Sequence, residues 1–222
     1  MGLFDKIKNK FDGVSNPLEG VSSPFEQATA LGKGVTVARL QVALEAKDRS
    51  KSSILGTMAS KAANCFPDSP RSLATLVSEV SVALLRRESD WVAAASECKV
   101  FAGLDQTAAE DKAEAYFNRA LTKELGKFEK EYVPAPGTPA DGAEGTLVVV
   151  SILAAVRGDK TDFGSVASVG ALKRALQLLA ANVMLERGEL LVAAEVLWTP
   201  SEADEVLTRP DMLLDYPELI DL

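Results

Sequence analysis

Ten consecutive residues, Leu147 to Val156, carry no charge, and Ser151 alone interrupts their apolar character. Val148, Val149, Val150, Ile152 and Val156 are β-branched, a composition that suits a pleated strand better than a helix. Successive strand residues point to opposite faces, so this strand is apolar on both and must be covered on both. Arg157 ends the run at about half the length a membrane-spanning helix needs. The chain therefore has to supply other strands beside this one and helices above and below it.

The remaining body supplies them in alternation. Between Val35 and Lys47, Leu40, Val42 and Leu44 alternate with Arg39, Gln41 and Glu45, the pattern of a half-buried strand with its polar residues outward. A helix competes there, because Ala, Leu, Glu and Lys are good helix formers. Ser50–Ala63 is small and polar, a loop or a short helix. Ser69-Pro70 places a capping serine before a first-turn proline, and Leu73, Leu76, Val77, Val80 and Leu84 then mark one helical face ending near Arg87. Residues 91–102 alternate again, with Val92, Ala94, Cys98 and Val100 on one side, and again a helix is the competing reading. Thr107 to Glu110 makes a capping box. It opens a helix through Ala113, Tyr116, Phe117, Ala120, Glu124 and Phe128, of which only Glu124 is polar at the shared face. A third helix follows from Val169, Leu172, Leu176, Leu179 and Val183, closed by Gly188. Leu190–Thr199 is a last strand, with Leu190, Val192, Ala194, Val196 and Trp198 on one face. The order β-α-β-α-β-α-β predicts an α/β (or α+β) domain, a mixed sheet of about four strands packed against helices. Trp91, Trp198, Phe117 and Phe128 are read as core. The C-terminal segment is read as packed by its apolar residues, with its acids in solvent. At 222 residues there is room for one full core.

Two regions do not fit that body. Residues 133–146 hold Pro134, Pro136, Gly137, Pro139, Gly142 and Gly145, too many breakers for a core element and long enough for an exposed flap. Residues 1–34 are broken by Asn16-Pro17, Gly20, Ser23-Pro24 and Gly32-Lys33-Gly34 into an extended arm. Within it Leu3, Phe4, Ile7 and Phe11 share one face of a short helix, while Lys6, Lys8 and Lys10 lie largely elsewhere. Such a helix can dock on protein or lie on a membrane surface, and docking is favoured because one short helix anchors weakly. Leu3, Phe4, Lys6, Ile7, Lys8, Lys10 and Phe11 are thus the candidate partner-binding residues. The globular domain is placed at 35–222.

The chemistry available is narrow. The chain has no histidine, which removes Ser-His-Asp and Cys-His mechanisms, HExxH zinc sites and zinc fingers. Its two cysteines, Cys65 and Cys98, make neither a disulfide framework nor a CxxC pair and read as reduced thiols. Cys65, in a loop before a helix, is the position where a depressed thiol pKa and a redox role are conceivable. The net charge is −8, with nine basic and six acidic residues in 1–62 and the excess of acid elsewhere. An acidic body repels phosphate, which argues against nucleic acid as a partner. Gly32-Lys33-Gly34 lacks phosphate-loop spacing. Asp159 and Asp162, after the central strand, can offer oxygens to Mg²⁺ or Ca²⁺, although a polar turn is the favoured reading. No catalytic residues, no cofactor and no small-molecule substrate are identified.

Several stretches resemble a known family. They are Leu-Gln-Val-Ala-Leu at 40–44, Ala-Leu-Leu-Arg at 83–86, Trp91, Ala-Tyr-Phe-Asn-Arg at 115–119 and Leu-Val-Val-Val at 147–150. The most specific are Glu-Val-Leu-Trp-Thr-Pro at 195–200 and Leu-Leu-Asp-Tyr-Pro at 213–217. Together they are similar to the domain-of-unknown-function family fifteen-seventeen, over roughly residues 35–222. That family occurs in cyanobacteria and plastids and includes the fluctuating-light acclimation proteins. The resemblance implies a photosynthetic setting, a link to thylakoid membranes, no established enzyme activity and hence no catalytic residues. Many relatives place a Gly-rich stretch and a transmembrane segment ahead of this domain. Here the 34-residue arm stands in that place, so peripheral attachment is expected, at the plastid stroma or thylakoid surface or in a cyanobacterial cytoplasm. With no transit peptide in view, the chain reads as a mature or a bacterial form.

The expectation is a non-enzymatic linker or regulatory protein whose arm docks on a photosynthetic membrane complex. The first alternative is a small-ligand or divalent-metal enzyme using Asp159 and Asp162 beneath the 133–146 flap. The second is a thiol sensor at Cys65.

Overall fold

The computed structural model describes residues 29–102, 106–132, 146–202 and 205–222. Among the described residues five strands are formed: β1 (Val35–Ala46), β2 (Trp91–Phe101), β3 (Thr146–Arg157), β4 (Leu191–Thr199) and β5 (Ile220–Asp221). Five α-helices alternate with them: α1 (Ile54–Ala63), α2 (Pro70–Leu85), α3 (Gln106–Phe128), α4 (Val169–Asn182) and α5 (Arg209–Asp215). Both segments with a competing helical reading, 35–46 and 91–102, are strands, and Ser50–Ala63 is mostly helix.

The strand order is β4-β3-β1-β2-β5, and every neighbouring pair is antiparallel. The class is α/β-type as expected, but the sheet has five strands and is not mixed. The physical reason lies in α3. It joins β2 to β3, which run parallel to each other and would form a βαβ unit if they were neighbours. β1 lies between them and runs the opposite way, so no parallel ladder results. β5, at two residues, is too short to carry a sequence period.

Helix ends are set by local side chains. Ser69 accepts a hydrogen bond from the Ser72 N–H, and Pro70 occupies the first turn, where its missing N–H costs nothing. Ser53, Ser168 and Thr208 cap α1, α4 and α5 in the same way.

The two faces of the sheet are covered differently. Leu40, Val42 and Leu44 of β1 share one face with Val148, Val150 and Ile152 of β3, and this face meets α1, α2 and α4. Met58, Val77, Leu84, Leu172, Leu176 and Leu179 fill the space between, all fully buried. The opposite face carries Val35, Val37, Leu153 and Ala155 at one end, against Ala113, Phe117 and Leu121 of α3. At the other end Ala43, Ala93 and Val149 pack with Tyr132, Leu207, Met212 and Tyr216. Between these two apolar patches lie Arg39, Gln41 and Ser151. Arg39 and Gln41 are therefore buried, where strand alternation alone had turned them outward. A strand in the middle of a sheet covered on both sides has no outward face, and Glu45 is the one exposed residue of β1.

Residues 29–34, grouped with the arm in the sequence, pack on the body. Leu31 is buried in the core, and its carbonyl accepts the N–H groups of Asp159 and Lys160 at 2.9 and 3.0 Å. Gly158 has φ +105°, and a Cβ there would lie 2.4 Å from the Leu31 carbonyl oxygen, so only glycine fits this crossing. At the C-terminus Met212 and Tyr216, four apart, turn inward. Leu213 and Leu214 fall on the other side of α5 and are 56% and 74% exposed, a departure from the reading that packed them.

Candidate functional site

Several buried charged and polar groups of the described residues converge beneath α3. Glu124 projects from α3 onto the middle of the sheet. Arg39 of β1 donates to it through Nη1 at 2.7 Å and to Glu97 of β2 through Nη2 at 2.9 Å. Gln41 donates through Nε2 to the second Glu124 oxygen at 2.8 Å and to Ser151 Oγ at 3.2 Å. Ser151 in turn donates to that same Glu124 oxygen at 2.9 Å. Lys127, one turn along α3, lies 3.5 Å from Glu124 and donates to Glu218, which itself sits 3.5 Å from Arg39. Tyr116 donates to Glu97 at the rim.

Arg39, Gln41, Glu124 and Ser151 are buried. Burying an ion is costly unless neighbours replace its water, and each Glu124 oxygen has such replacements. Two polar atoms do not: Arg39 Nε and Gln41 Oε1 have no protein partner. Burial works against the Glu218 charge, but the Lys127 hydrogen bond, its own backbone N–H and the nearby cations outweigh it, leaving its pKa below the usual value. Burial, with the Glu97 bond and charge, pushes the Tyr116 phenol up to about 12. The arrangement is a clasp that holds α3 to three strands and to the C-terminal segment.

A second set of contacts extends the clasp. Tyr216 donates to Thr199 Oγ1 at 2.9 Å, which brings the Trp-Thr-Pro stretch of β4 against the Asp-Tyr-Pro stretch after α5. Asp215 takes Lys130 at 2.7 Å and the Tyr132 hydroxyl at 3.0 Å. The Lys127 ammonium lies 4.7 Å from the Tyr216 ring centre. Asp215 and Glu218 are thus paired, where the acids of this segment were expected in solvent.

The residues singled out for chemistry do not gather. Asp162 accepts the Gly164 N–H at 2.9 Å, closing a turn, and Asp159 lies against Gly32 at the crossing with residues 29–34. Among the described residues no three acidic or cysteine side chains come together as a metal site would require. Cys65 is not a poised thiolate: burial is the main influence and pushes its thiol up, and Ser72 hydrogen-bonds it at 3.7 Å. Burial raises Cys98 to about 11. A groove of about 550 Å³ on the outer side of α1 and α2 is lined by Thr57, Lys61, Val82, Arg86 and Arg87, with Lys61 bound to Glu79 at 2.9 Å. The partner-binding candidates Leu3, Phe4, Lys6, Ile7, Lys8, Lys10 and Phe11 lie outside the described residues, as do 133–145 of the flap. No described helix is long and apolar enough to cross a membrane.

The clasp left two marks in the sequence, Glu124 in an apolar helix face and Ser151 in an apolar strand. Both stood out as exceptions, and only the fold makes them partners.

A family model described as "Protein of unknown function (DUF1517)" matches residues 34–222. Over 203 residues the chain is 30% identical to "Protein FLAP1 homolog A" of Synechocystis sp., covering 83% of this chain and 56% of that protein. Over 193 residues it is 26% identical to "FLUCTUATING-LIGHT-ACCLIMATION protein 1, chloroplastic" of Arabidopsis thaliana, covering 83% and 46%. The chain spans about half the length of these curated relatives. No solved structure matches it.

Proposed function

Because the chain belongs to the DUF1517 family of proteins of unknown function, we propose that it is a non-enzymatic interaction protein in light acclimation. It works at the periphery of a photosynthetic membrane complex, in a plastid or a cyanobacterium. The names of its relatives support the setting, one being called an acclimation protein and chloroplastic. The observation that carries the non-enzymatic reading is the clasp. The charged side chains that meet inside the protein are bound to one another and hold α3, the C-terminal segment and the sheet together. Chemistry on a substrate needs groups left free to act on it.

Docking is assigned to residues 1–28, with Leu3, Phe4, Ile7 and Phe11 as apolar anchors and Lys6, Lys8 and Lys10 meeting acidic groups. The arm ends there because Leu31 belongs to the core. The partner is a protein complex of the thylakoid membrane. The direct test is recovery of the full chain with solubilised thylakoid membranes, compared with a Phe4→Asp, Phe11→Asp variant. The reading predicts that the native chain returns with a defined photosynthetic complex and the variant returns alone. Equal recovery of the complex by both would overturn the assignment to the arm. Recovery by neither would remove the interaction reading altogether.

A further inference from the structure

Two glutamates are buried among the described residues, and they are treated in opposite ways. Glu124 is ringed by donors. Glu195 of β4 is 9% exposed and has no ion pair; its one hydrogen bond comes from the backbone N–H of Val196. Ala193 and Leu197, two residues to either side on the same strand face, belong to the apolar cluster of Leu153, Phe117 and Leu121. Leu153 is its register partner on β3. β4 is the outermost strand on its side of the sheet, so Glu195 stands where the sheet edge meets the flank of α3.

Two charges of the surrounding elements are committed elsewhere. β4 packs on β3, α2 and α3. Arg157 of β3 binds Glu110 of α3 at 3.0 Å, and Glu124 of α3 is held by Arg39. From the α2 side the Cys65 thiol feels the Glu195 charge, which adds to the burial that keeps that thiol protonated. A buried carboxylate with no cation favours its neutral form. Burial pushes the Glu195 pKa up to about 7, against the single opposing contribution of the Val196 N–H.

We propose that Glu195 is a proton-operated latch between the sheet edge and α3. Protonated, it stays between Ala193 and Leu197, and β4 and α3 remain closed on each other. Ionised, it draws water to the edge and loosens that contact. The latch is independent of the arm, and its failure would leave the docking reading standing. The direction of the pH effect follows from linkage. The folded chain holds this proton up to about pH 7, whereas the unfolded chain releases it near the usual 4.5. The latch contribution is complete below 4.5, is lost as pH rises toward 7 and is flat beyond.

The test is urea denaturation of the full chain and of Glu195→Gln at intervals from pH 5 to 8.5. Expected is an unfolding constant that rises with pH in the native chain by on the order of a hundredfold relative to the variant. Hydrogen exchange at 191–199 and 106–128 should accelerate over the same interval in the native chain beyond its rise in the variant. Parallel pH profiles of the two proteins would overturn the latch. Should Glu195→Gln fail to fold, carboxyl NMR titration of the native chain decides. A Glu195 midpoint near 7 supports the latch, and one near 4.5 ends it.

Discussion

The two faces of the central strand are an internal control on what holds this fold. On one, Leu40, Val42 and Leu44 meet α1, α2 and α4 with hydrocarbon alone. On the other, Arg39 and Gln41 meet α3 through Glu124, Ser151, Lys127 and Glu218. Apolar contact is non-directional and tolerates exchange at constant volume, so it fixes that a helix packs but only loosely where. A network in which Glu124 takes donors from two strands has one register. The polar face therefore positions α3, while the apolar face supplies most of the burial. The clasp also ties in the C-terminus, so that Tyr216 can reach Thr199.

The difference can be broken from either side. The largest effect is expected for Glu124→Leu, which leaves Arg39 buried without its main partner. It should cost about 3–5 kcal/mol in urea denaturation, more than the lost contact itself. Leu176→Ala on the apolar face removes buried methyl groups and should cost about 3 kcal/mol, with the clasp hydrogen bonds kept. A loss there that exceeded that of Glu124→Leu would reverse the ranking. Tyr216→Phe removes one buried hydrogen bond and leaves Thr199 unsatisfied, for about 1 kcal/mol, measured as a shift in the urea midpoint. If it costs nothing, the C-terminal segment is held by packing alone.

The apolar face was almost fully legible in the sequence, because period and composition agree there. Val148 to Val156 specify a buried strand, and the Leu172, Leu176, Leu179 spacing specifies the helix that covers it. The polar face was legible only as anomalies. Glu124, Arg39, Gln41 and Ser151 lie 27 to 110 residues apart where they bond across elements. A pattern rule that reads polar as outward assigns Arg39 and Gln41 to solvent. Strand direction escaped for a related reason: β1 lies between two strands that the sequence joins through a helix. Glu195 was visible as part of a family stretch, but its isolation from every cation is a property of the packed edge. The proposed docking residues lie outside the described residues.

The central claim is that the charges beneath α3 act on one another. A double-mutant cycle on Arg39→Met and Glu124→Leu, followed by urea denaturation, tests it most directly. The account predicts strong coupling, with the double variant more stable than the sum of the single losses by about 2–3 kcal/mol. Losses that add to within about 0.5 kcal/mol would contradict it, since groups that do not depend on each other are no clasp.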